Sequence, residues 1–257
     1  MRDLARLQDI LRRIGPADIA VSGGVDSLTL AAAAHAVLGA DARMHHAVSP
    51  AVPPEATERT KALAATRGWE LTLFDAGEFA DARYRQNPSD RCFFCKTNLY
   101  GTLAARVAGT ILSGTNTDDL SDWRPGLRAA EQHRVRHPFV EAGIDKATVR
   151  ALAAQLGLGD VADLPASPCL SSRIETGIHV EPELLALVHR AETWVARTLA
   201  PRTVRCRVRA AGVVIELDAE ALARVSPDMA AALAALAGRP VSFAAYRTGS
   251  AFLRPPA

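Results

Sequence analysis

The chain has 257 residues, enough for one large domain or two modest ones. Hydrophobic residues make up 49% and charged residues 23%, which excludes a wholly disordered chain. A formal charge of +2 gives no general basic field, so nucleic acid is not the expected partner. The longest apolar run, residues 28–40, is interrupted by His35 and too short to span a bilayer, so no membrane partner is expected. The N-terminal stretch mixes charges among its apolar residues, unlike an export signal, and a cytoplasmic location is expected. Four cysteines in so long a chain make no disulfide framework; their thiols are structural, metal-binding or reactive.

Leu4, Leu7, Ile10, Leu11 and Ile14 recur at helical spacing and predict an amphipathic first helix. A strand at 19–21, a Gly-rich turn and an Ala-rich helix at 27–38 follow. The alternation continues with strands at 44–48, 71–74 and 110–112 and helices at 54–67 and 98–107. Such alternation predicts an α/β fold with a doubly wound parallel sheet. Asp145 reads as the N-cap of a helix that Gly157 ends. Past residue 160 the prolines and Ser/Thr residues lack a helical period and predict a functional loop linking two domains. Beyond it come a helix at 181–199, a hairpin of 204–209 and 213–217 turning near Gly212, a helix at 219–236 and a strand at 241–246. The expected division is residues 1–175 as the nucleotide domain and 176–257 as a smaller α+β domain for substrate binding or oligomerisation.

The segment Ser22-Gly23-Gly24-Val25-Asp26-Ser27 lies between the first strand and its helix. Its glycines allow close backbone approach, and the helix that follows offers free N–H groups and the positive end of its dipole. This is a site for oxyanions. Asp26 would repel a bare phosphate, which suits a carboxylate that fixes the loop or helps hold Mg²⁺ between phosphates. The loop lacks the Gly-Lys-Ser/Thr ending of a Walker-type loop. It resembles instead the PP-loop of the ATP pyrophosphatases, which grips departing pyrophosphate while the substrate is activated as an adenylate.

Three further stretches narrow the resemblance: Arg91-Cys92-Phe93-Phe94-Cys95-Lys96; Ser113-Gly114-Thr115-Asn116-Thr117-Asp118-Asp119 with Asp122-Trp123-Arg124-Pro125-Gly126; and Ser167-Pro168-Cys169-Leu170-Ser171-Ser172-Arg173-Ile174. In this order, with SGGVDS, they resemble the LarE family of ATP-dependent sulfur transferases, which help make the nickel-pincer nucleotide cofactor of lactate racemase. The resemblance runs from the phosphate loop to about Glu216. It implies ATP and Mg²⁺ as cofactors, with Ser22, Gly23, Gly24, Val25, Asp26, Ser27, Gly114 and Asp118 at the ATP site. It implies a small-molecule substrate, pyridinium-3,5-biscarboxylic acid mononucleotide, bound by Arg173, Glu192, Arg207, Arg209 and Glu216. A homo-oligomer is also expected. Asp118 and Asp119 hold Mg²⁺ or orient the substrate on one reading; on the other, Asn116 and Asp118 simply cap a turn. Asp122, Arg124 and Gly126 serve the site from behind or form a surface pair. Arg207 and Arg209 share a strand face suited to clamping a phosphate, or form a solvated basic face together with Arg205. The stretch 209–216 is two residues shorter than the family pattern, which puts Glu216 in doubt.

Cys169, with Asp26, is the expected catalytic residue, and two sulfur routes stay open. In one, the Cys169 thiolate attacks the adenylated carboxylate and its Cβ–S bond then breaks, leaving a thiocarboxylate and dehydroalanine. In the other, Cys92, Cys95 and Cys169 hold a four-iron four-sulfur (4Fe-4S) cluster whose free iron carries a hydrosulfide. Structural zinc or inert thiols are the plain alternative. A tRNA thiolase and a non-enzymatic nucleotide-binding or iron-storage module are the rival functions. Cys206 falls on the opposite strand face and is expected in the core, and His45 and His46 are expected to be structural.

Overall fold

The computed structural model describes residues 2–120, 125–166, 168–247 and 250; Asp122, Trp123, Arg124 and Ser167 lie outside them. In chain order its elements are α1 (Arg2–Ile14), β1 (Ala17–Ala20), α2 (Val25–Leu38), β2 (Ala42–Ala47), α3 (Pro54–Arg67), β3 (Leu71–Phe74), α4 (Ala82–Arg85), α5 (Arg91–Ala104) and β4 (Thr110–Ser113). Then come α6 (Pro125–Gln132), α7 (Pro138–Glu141), α8 (Lys146–Gln155), α9 (Gly159–Ala162), α10 (Pro182–Leu199), β5 (Val204–Arg209), β6 (Gly212–Leu217), α11 (Ala219–Leu222), α12 (Pro227–Ala237) and β7 (Val241–Ala245). They pack into two compact units, Met1–Ala80 with Cys92–Ser167, and Asp81–Arg91 with Pro168–Ala257.

The first unit is α/β, with a four-stranded parallel sheet in the order β3-β2-β1-β4. Consecutive strand residues face opposite sides, and the core divides accordingly. Ile19, Met44 and Leu112 pack with Leu7 and Leu11 of α1, Leu28 and Leu30 of α2, and Val149 of α8. Ile111 and Phe74 pack with Tyr100 and Leu103 of α5 and Ala130 of α6. Helices therefore cover both faces. α2 is apolar nearly all round and correspondingly buried along most of its length. From β1 the chain adds β2 and β3 on one side and then places β4 on the other. The loops after β1 and β4 therefore open side by side at the carboxyl edge, where such sheets bind ligands.

Below that edge β1 carries a buried charge. Asp18, fully buried, accepts from Arg43 Nε and Nη2 at 2.9 Å each, bonds His45 Nε2 at 2.8 Å and accepts from the Gly109 N–H at 3.1 Å. The register Asp18↔Arg43 sets the Arg43 partner directly alongside. Burial pushes the Asp18 pKa up, but the Arg43 and His45 bonds outweigh it and hold the carboxyl below its ordinary value.

The second unit has a three-stranded mixed sheet, β5-β6-β7, with β5 and β6 antiparallel and β6 and β7 parallel. Three expectations need correction. The helix expected at 98–107 runs from Arg91 to Ala104, so the CxxC pair lies at its start. The helix expected at 219–236 is two helices, because the Ser226 hydroxyl caps the Met229 N–H and Pro227 begins a fresh first turn. The polar stretch after 160 carries α9 and a buried 3₁₀ turn, Leu170–Arg173, as well as loop.

Asp18→Asn should cost about 3 kcal/mol, since it leaves buried His45 and the partly exposed Arg43 facing a neutral amide. The folded pKa lies below the unfolded one, so the wild-type contribution is full above about pH 5 and lost as pH falls through about 4 and below. Urea unfolding from pH 7 to pH 3 should show the gap between wild type and Asp18→Asn closing with acid.

Candidate active site

The 22–27 loop is shaped by its own hydroxyls. Ser27 Oγ donates to the Gly24 carbonyl at 3.1 Å and accepts the Ser22 N–H at 3.0 Å. Its single proton being used, Ser22 Oγ is the donor in the 3.1 Å bond between the two hydroxyls. Just before the loop, buried His46 donates from Nδ1 to the Val21 carbonyl, and burial pushes its pKa down, which keeps the ring neutral. Arg59 Nη1 donates to the Gly23 carbonyl at 2.7 Å. Gly24 caps α2 without any side-chain bond, so the first N–H groups of the helix have no acceptor from a capping side chain.

Two glycines are fixed by contact. Gly23 has φ +79°, and a Cβ there would lie 2.5 Å from the Ala56 carbonyl oxygen. A Cβ on Gly114 would lie 2.8 Å from both Asp26 C and Ser27 N, so the loop after β4 meets the loop after β1 backbone to backbone. On Gly24 a Cβ would meet nothing nearer than Ser22 Oγ at 3.6 Å, and this side is the one left for a ligand.

Asp26 is the hub of the edge. Its Oδ1 accepts from Asn116 Nδ2 at 3.2 Å and its Oδ2 from Lys146 Nζ at 2.5 Å. Asn116 Oδ1 accepts the Asp118 N–H, Asp119 Oδ2 accepts the Asn116 N–H, and Asp118 Oδ2 accepts the Lys146 N–H at 3.3 Å. The segment thus caps its own turn and reaches the 22–27 loop at the same time. Gly126, at the start of α6, abuts Lys96, where a Cβ would lie 3.0 Å from Lys96 Cγ.

In the second unit Cys169 is exposed and precedes the buried turn Leu170–Arg173. Arg173 bonds Glu192 through Nε and Nη2, at 2.9 and 3.0 Å, and through Nη1 the Pro168 carbonyl at 2.6 Å, the Cys169 carbonyl at 3.2 Å and Ser172 Oγ at 3.0 Å. Glu192 Oε1 also accepts the Cys206 N–H at 2.9 Å. Arg207 Nε donates to Glu216 Oε2 at 2.9 Å and its Nη1 to the Ser172 carbonyl at 3.0 Å, while Arg209 Nη2 donates to Glu216 Oε1 at 3.0 Å. Arg209, Glu216 and Arg247 line a groove of about 290 Å³ over β6 and β7. Cys206 is fully buried, and burial first, then the nearby Glu192, pushes its thiol up to about 12.

Cys92 and Cys95 are half-buried on α5 in the first unit, and Cys169 belongs to the second. Among the described residues no three His, Cys, Asp or Glu side chains are grouped to hold a metal ion.

No family model matches the chain. An uncharacterized protein of Synechocystis is 38% identical over 230 residues, covering 88% of this chain and 85% of that protein. The pyridinium-3,5-bisthiocarboxylic acid mononucleotide synthase of Lactiplantibacillus plantarum is 31% identical over 209 residues, covering 79% of this chain and 74% of the synthase. An uncharacterized protein of Methanocaldococcus jannaschii is 28% identical over 137 residues, covering 52% of this chain and 53% of its own. The chain belongs to the LarE family.

The structure gathers the residues expected from the LarE resemblance into separate sets. Ser22, Gly23, Gly24, Val25, Asp26, Ser27, Gly114 and Asp118 stand at one sheet edge of the first unit. Arg173 meets Glu192, and Arg207 and Arg209 meet Glu216, within the second. The sequence reading missed Lys146 and Arg59. Lys146 had a signal: a lysine directly after the Asp145 N-cap sits at the helix end where the dipole disfavours a cation, so a nearby anion must hold it there. Arg59 had none, being one cation among several on α3.

Gly23→Ala and Gly114→Ala should each destabilise the protein by about 1–3 kcal/mol, because backbone atoms on the other side cannot yield. Gly24→Ala should change stability by no more than about 0.5 kcal/mol. Thermal and urea unfolding of the three variants check the ranking.

Proposed function

We propose that the protein is an ATP-dependent sulfur transferase that converts a carboxylate of pyridinium-3,5-biscarboxylic acid mononucleotide to a thiocarboxylate. The observation that carries this reading is the contact of Gly114 with the Asp26–Ser27 peptide beside an uncapped helix start, in a chain related to a named synthase of the bisthiocarboxylic product. Uncapped N–H groups at a helix start bind phosphate, and the 22–27 loop acts as a PP-loop for the β- and γ-phosphates. The substrate carboxylate attacks the α-phosphorus, the bond to the β-phosphate oxygen breaks, and pyrophosphate leaves into the loop.

Lys146 balances Asp26 in the free protein and is placed to move its charge to the phosphates when ATP arrives. Mg²⁺ fits here, since it keeps water and phosphate oxygens as ligands and asks for only one or two carboxylates, of which Asp26 is one. When bound it neutralises phosphate charge. Arg209 and Arg247 offer the groove in the second unit a cationic lining for the mononucleotide phosphate, and Glu216, which both Arg207 and Arg209 bond, also lines it.

Cys169 donates the sulfur. Its thiolate adds to the acyl carbon of the adenylate and expels AMP, forming a thioester. Removal of the Cys169 Cα proton then breaks the Cβ–S bond, leaving dehydroalanine in the protein and the sulfur on the product as a thiocarboxylate. No step calls on Cys92 and Cys95.

Wild-type protein with ATP and the mononucleotide should release pyrophosphate and AMP and give one thiocarboxylate per chain, with dehydroalanine at 169 by intact-protein mass spectrometry. Cys169→Ser should still release pyrophosphate and give no thiocarboxylate. Full thiolation by that variant overturns the assignment of the sulfur. Lys146→Ala should raise the KM for ATP by about one to two decades, the worth of one charge-assisted bond of roughly 1.5–3 kcal/mol, and leave the KM for the mononucleotide unchanged.

A further inference from the structure

The resemblance placed Arg173 and Glu192 among substrate-binding residues, and their geometry gives them other work. The Arg173 side chain is 3% exposed and Glu192 14%. All three guanidinium nitrogens are engaged inside the protein, two on the Glu192 carboxylate and the third on Pro168 O, Cys169 O and Ser172 Oγ. Glu192 is itself fixed twice, by the fork of Arg173 and by the Cys206 N–H of β5. A buried guanidinium so spent has no face left for a ligand, and a carboxylate so spent has little acceptor capacity to give one. What the pair does reach is the backbone immediately around Cys169. The carbonyls of residues 168 and 169 converge on one nitrogen, which fixes the peptide planes on both sides of the Cys169 Cα and so the direction in which its Cβ leaves the chain.

The rest of the turn is held as firmly. Tyr84 Oη bonds Ser171 Oγ at 2.7 Å, and Arg207 reaches the Ser172 carbonyl. Asn87 Nδ2 donates to Glu175 O at 2.8 Å and Ile178 O at 2.9 Å. Residues 170–173 are buried while Cys169, one position before them, is exposed. An exposed thiol on an anchored backbone is the arrangement a nucleophile needs, because attack requires a held direction as well as access.

We infer that Arg173 and Glu192 are positioning residues that aim Cys169, and that neither touches the mononucleotide. The inference rests on the reading of Cys169 as the sulfur donor. Arg173→Lys keeps the charge but replaces a planar fork with one ammonium, and Glu192→Gln keeps the shape and the acceptor for the Cys206 N–H but loses the charge.

The test measures single-turnover thiocarboxylate formation, pyrophosphate release and mononucleotide KM for wild type, both variants and Arg209→Lys. Thiolation at saturating substrate should fall at least tenfold in Arg173→Lys and less in Glu192→Gln. The mononucleotide KM and the rate of pyrophosphate release should stay within twofold of wild type. Arg209→Lys should do the opposite, raising KM and sparing the rate at saturation. A rise in KM for Arg173→Lys matching that of Arg209→Lys, or an unchanged thiolation rate, overturns the inference. Hydrogen exchange of the ligand-free protein provides a second arm. The Ser172 and Ile174 N–H groups, bonded to the Cys169 and Ser171 carbonyls at 3.0 and 3.1 Å, should exchange at least tenfold faster in Arg173→Lys and Glu192→Gln but not in Arg209→Lys. Unchanged exchange also overturns it, and this arm stands if Arg173→Lys is too unstable for kinetics, since Glu192→Gln is nearly isosteric. Absence of mononucleotide-dependent pyrophosphate release in the wild type would instead remove the proposed function, while the exchange data still decide what Arg173 and Glu192 hold.

Discussion

Gly114 approaches the peptide between Asp26 and Ser27 so closely that a single added carbon would overlap backbone atoms. That contact ties the loop after β4 to the loop after β1 and fixes the candidate site at the sheet edge. Neither loop sets the contact alone. It requires β1 and β4 to be neighbours in the register Ala17↔Thr110, which follows from the reversal in strand order. It also requires Gly23 to turn with a positive φ against Ala56, so that the helix start of α2 faces the same way. The hydroxyls of Ser22 and Ser27 then stiffen a loop whose glycines would otherwise leave it loose.

Charge in both units is handled by pairing, and the pairings differ in exposure. The Lys146–Asp26 pair is partly open to solvent, so its attraction is screened and exchange for a phosphate or a hydrated cation costs little. Arg173–Glu192 and Arg207–Glu216 are buried, where breaking a pair leaves an uncompensated charge at several kcal/mol. Partly open pairs suit groups that change partner during a reaction; closed pairs suit groups that keep still. Arg209 stands between these cases, sharing Glu216 with Arg207 but with its side chain 32% exposed.

Much of the fold was legible because it rests on local signals. The 3.6-residue period of α1, the apolar runs of β1 and β3, the Asp145 cap and the Gly212 turn all lie in short stretches. The start of α5 was not legible: Cys92, Phe93, Phe94 and Cys95 are indifferent helix formers, so their sequence carries no helix signal. The α11–α12 break was misread for a simpler reason, since an Ala-rich period outweighed the Ser226-Pro227 start signal within it. At the candidate site, the close-packed turn at 22–27 was legible because glycines at a strand-to-helix turn have a steric meaning. The partners of Asp26 were not, since Asn116 and Lys146 come from 90 and 120 residues away and only the strand order brings them in. Nor did anything in residues 81–91 announce that Tyr84 and Asn87 would brace the turn after Cys169.

The cysteines of the second unit show how one residue type is given opposite characters by a few side chains. Cys206 is fully buried on β5, its thiol pushed up to about 12 by burial and by Glu192, so almost none of it is thiolate at neutral pH. Cys169 is exposed, so an electrophile can reach it. The same carboxylate serves both. Glu192 accepts the N–H of Cys206 and, through Arg173, fixes the carbonyl of Cys169. A carboxylate that adds to the effect of burial on one thiol therefore also anchors the backbone of the other, through the hydrogen bonds of Arg173. Loss of Glu192 would then alter where Cys169 points.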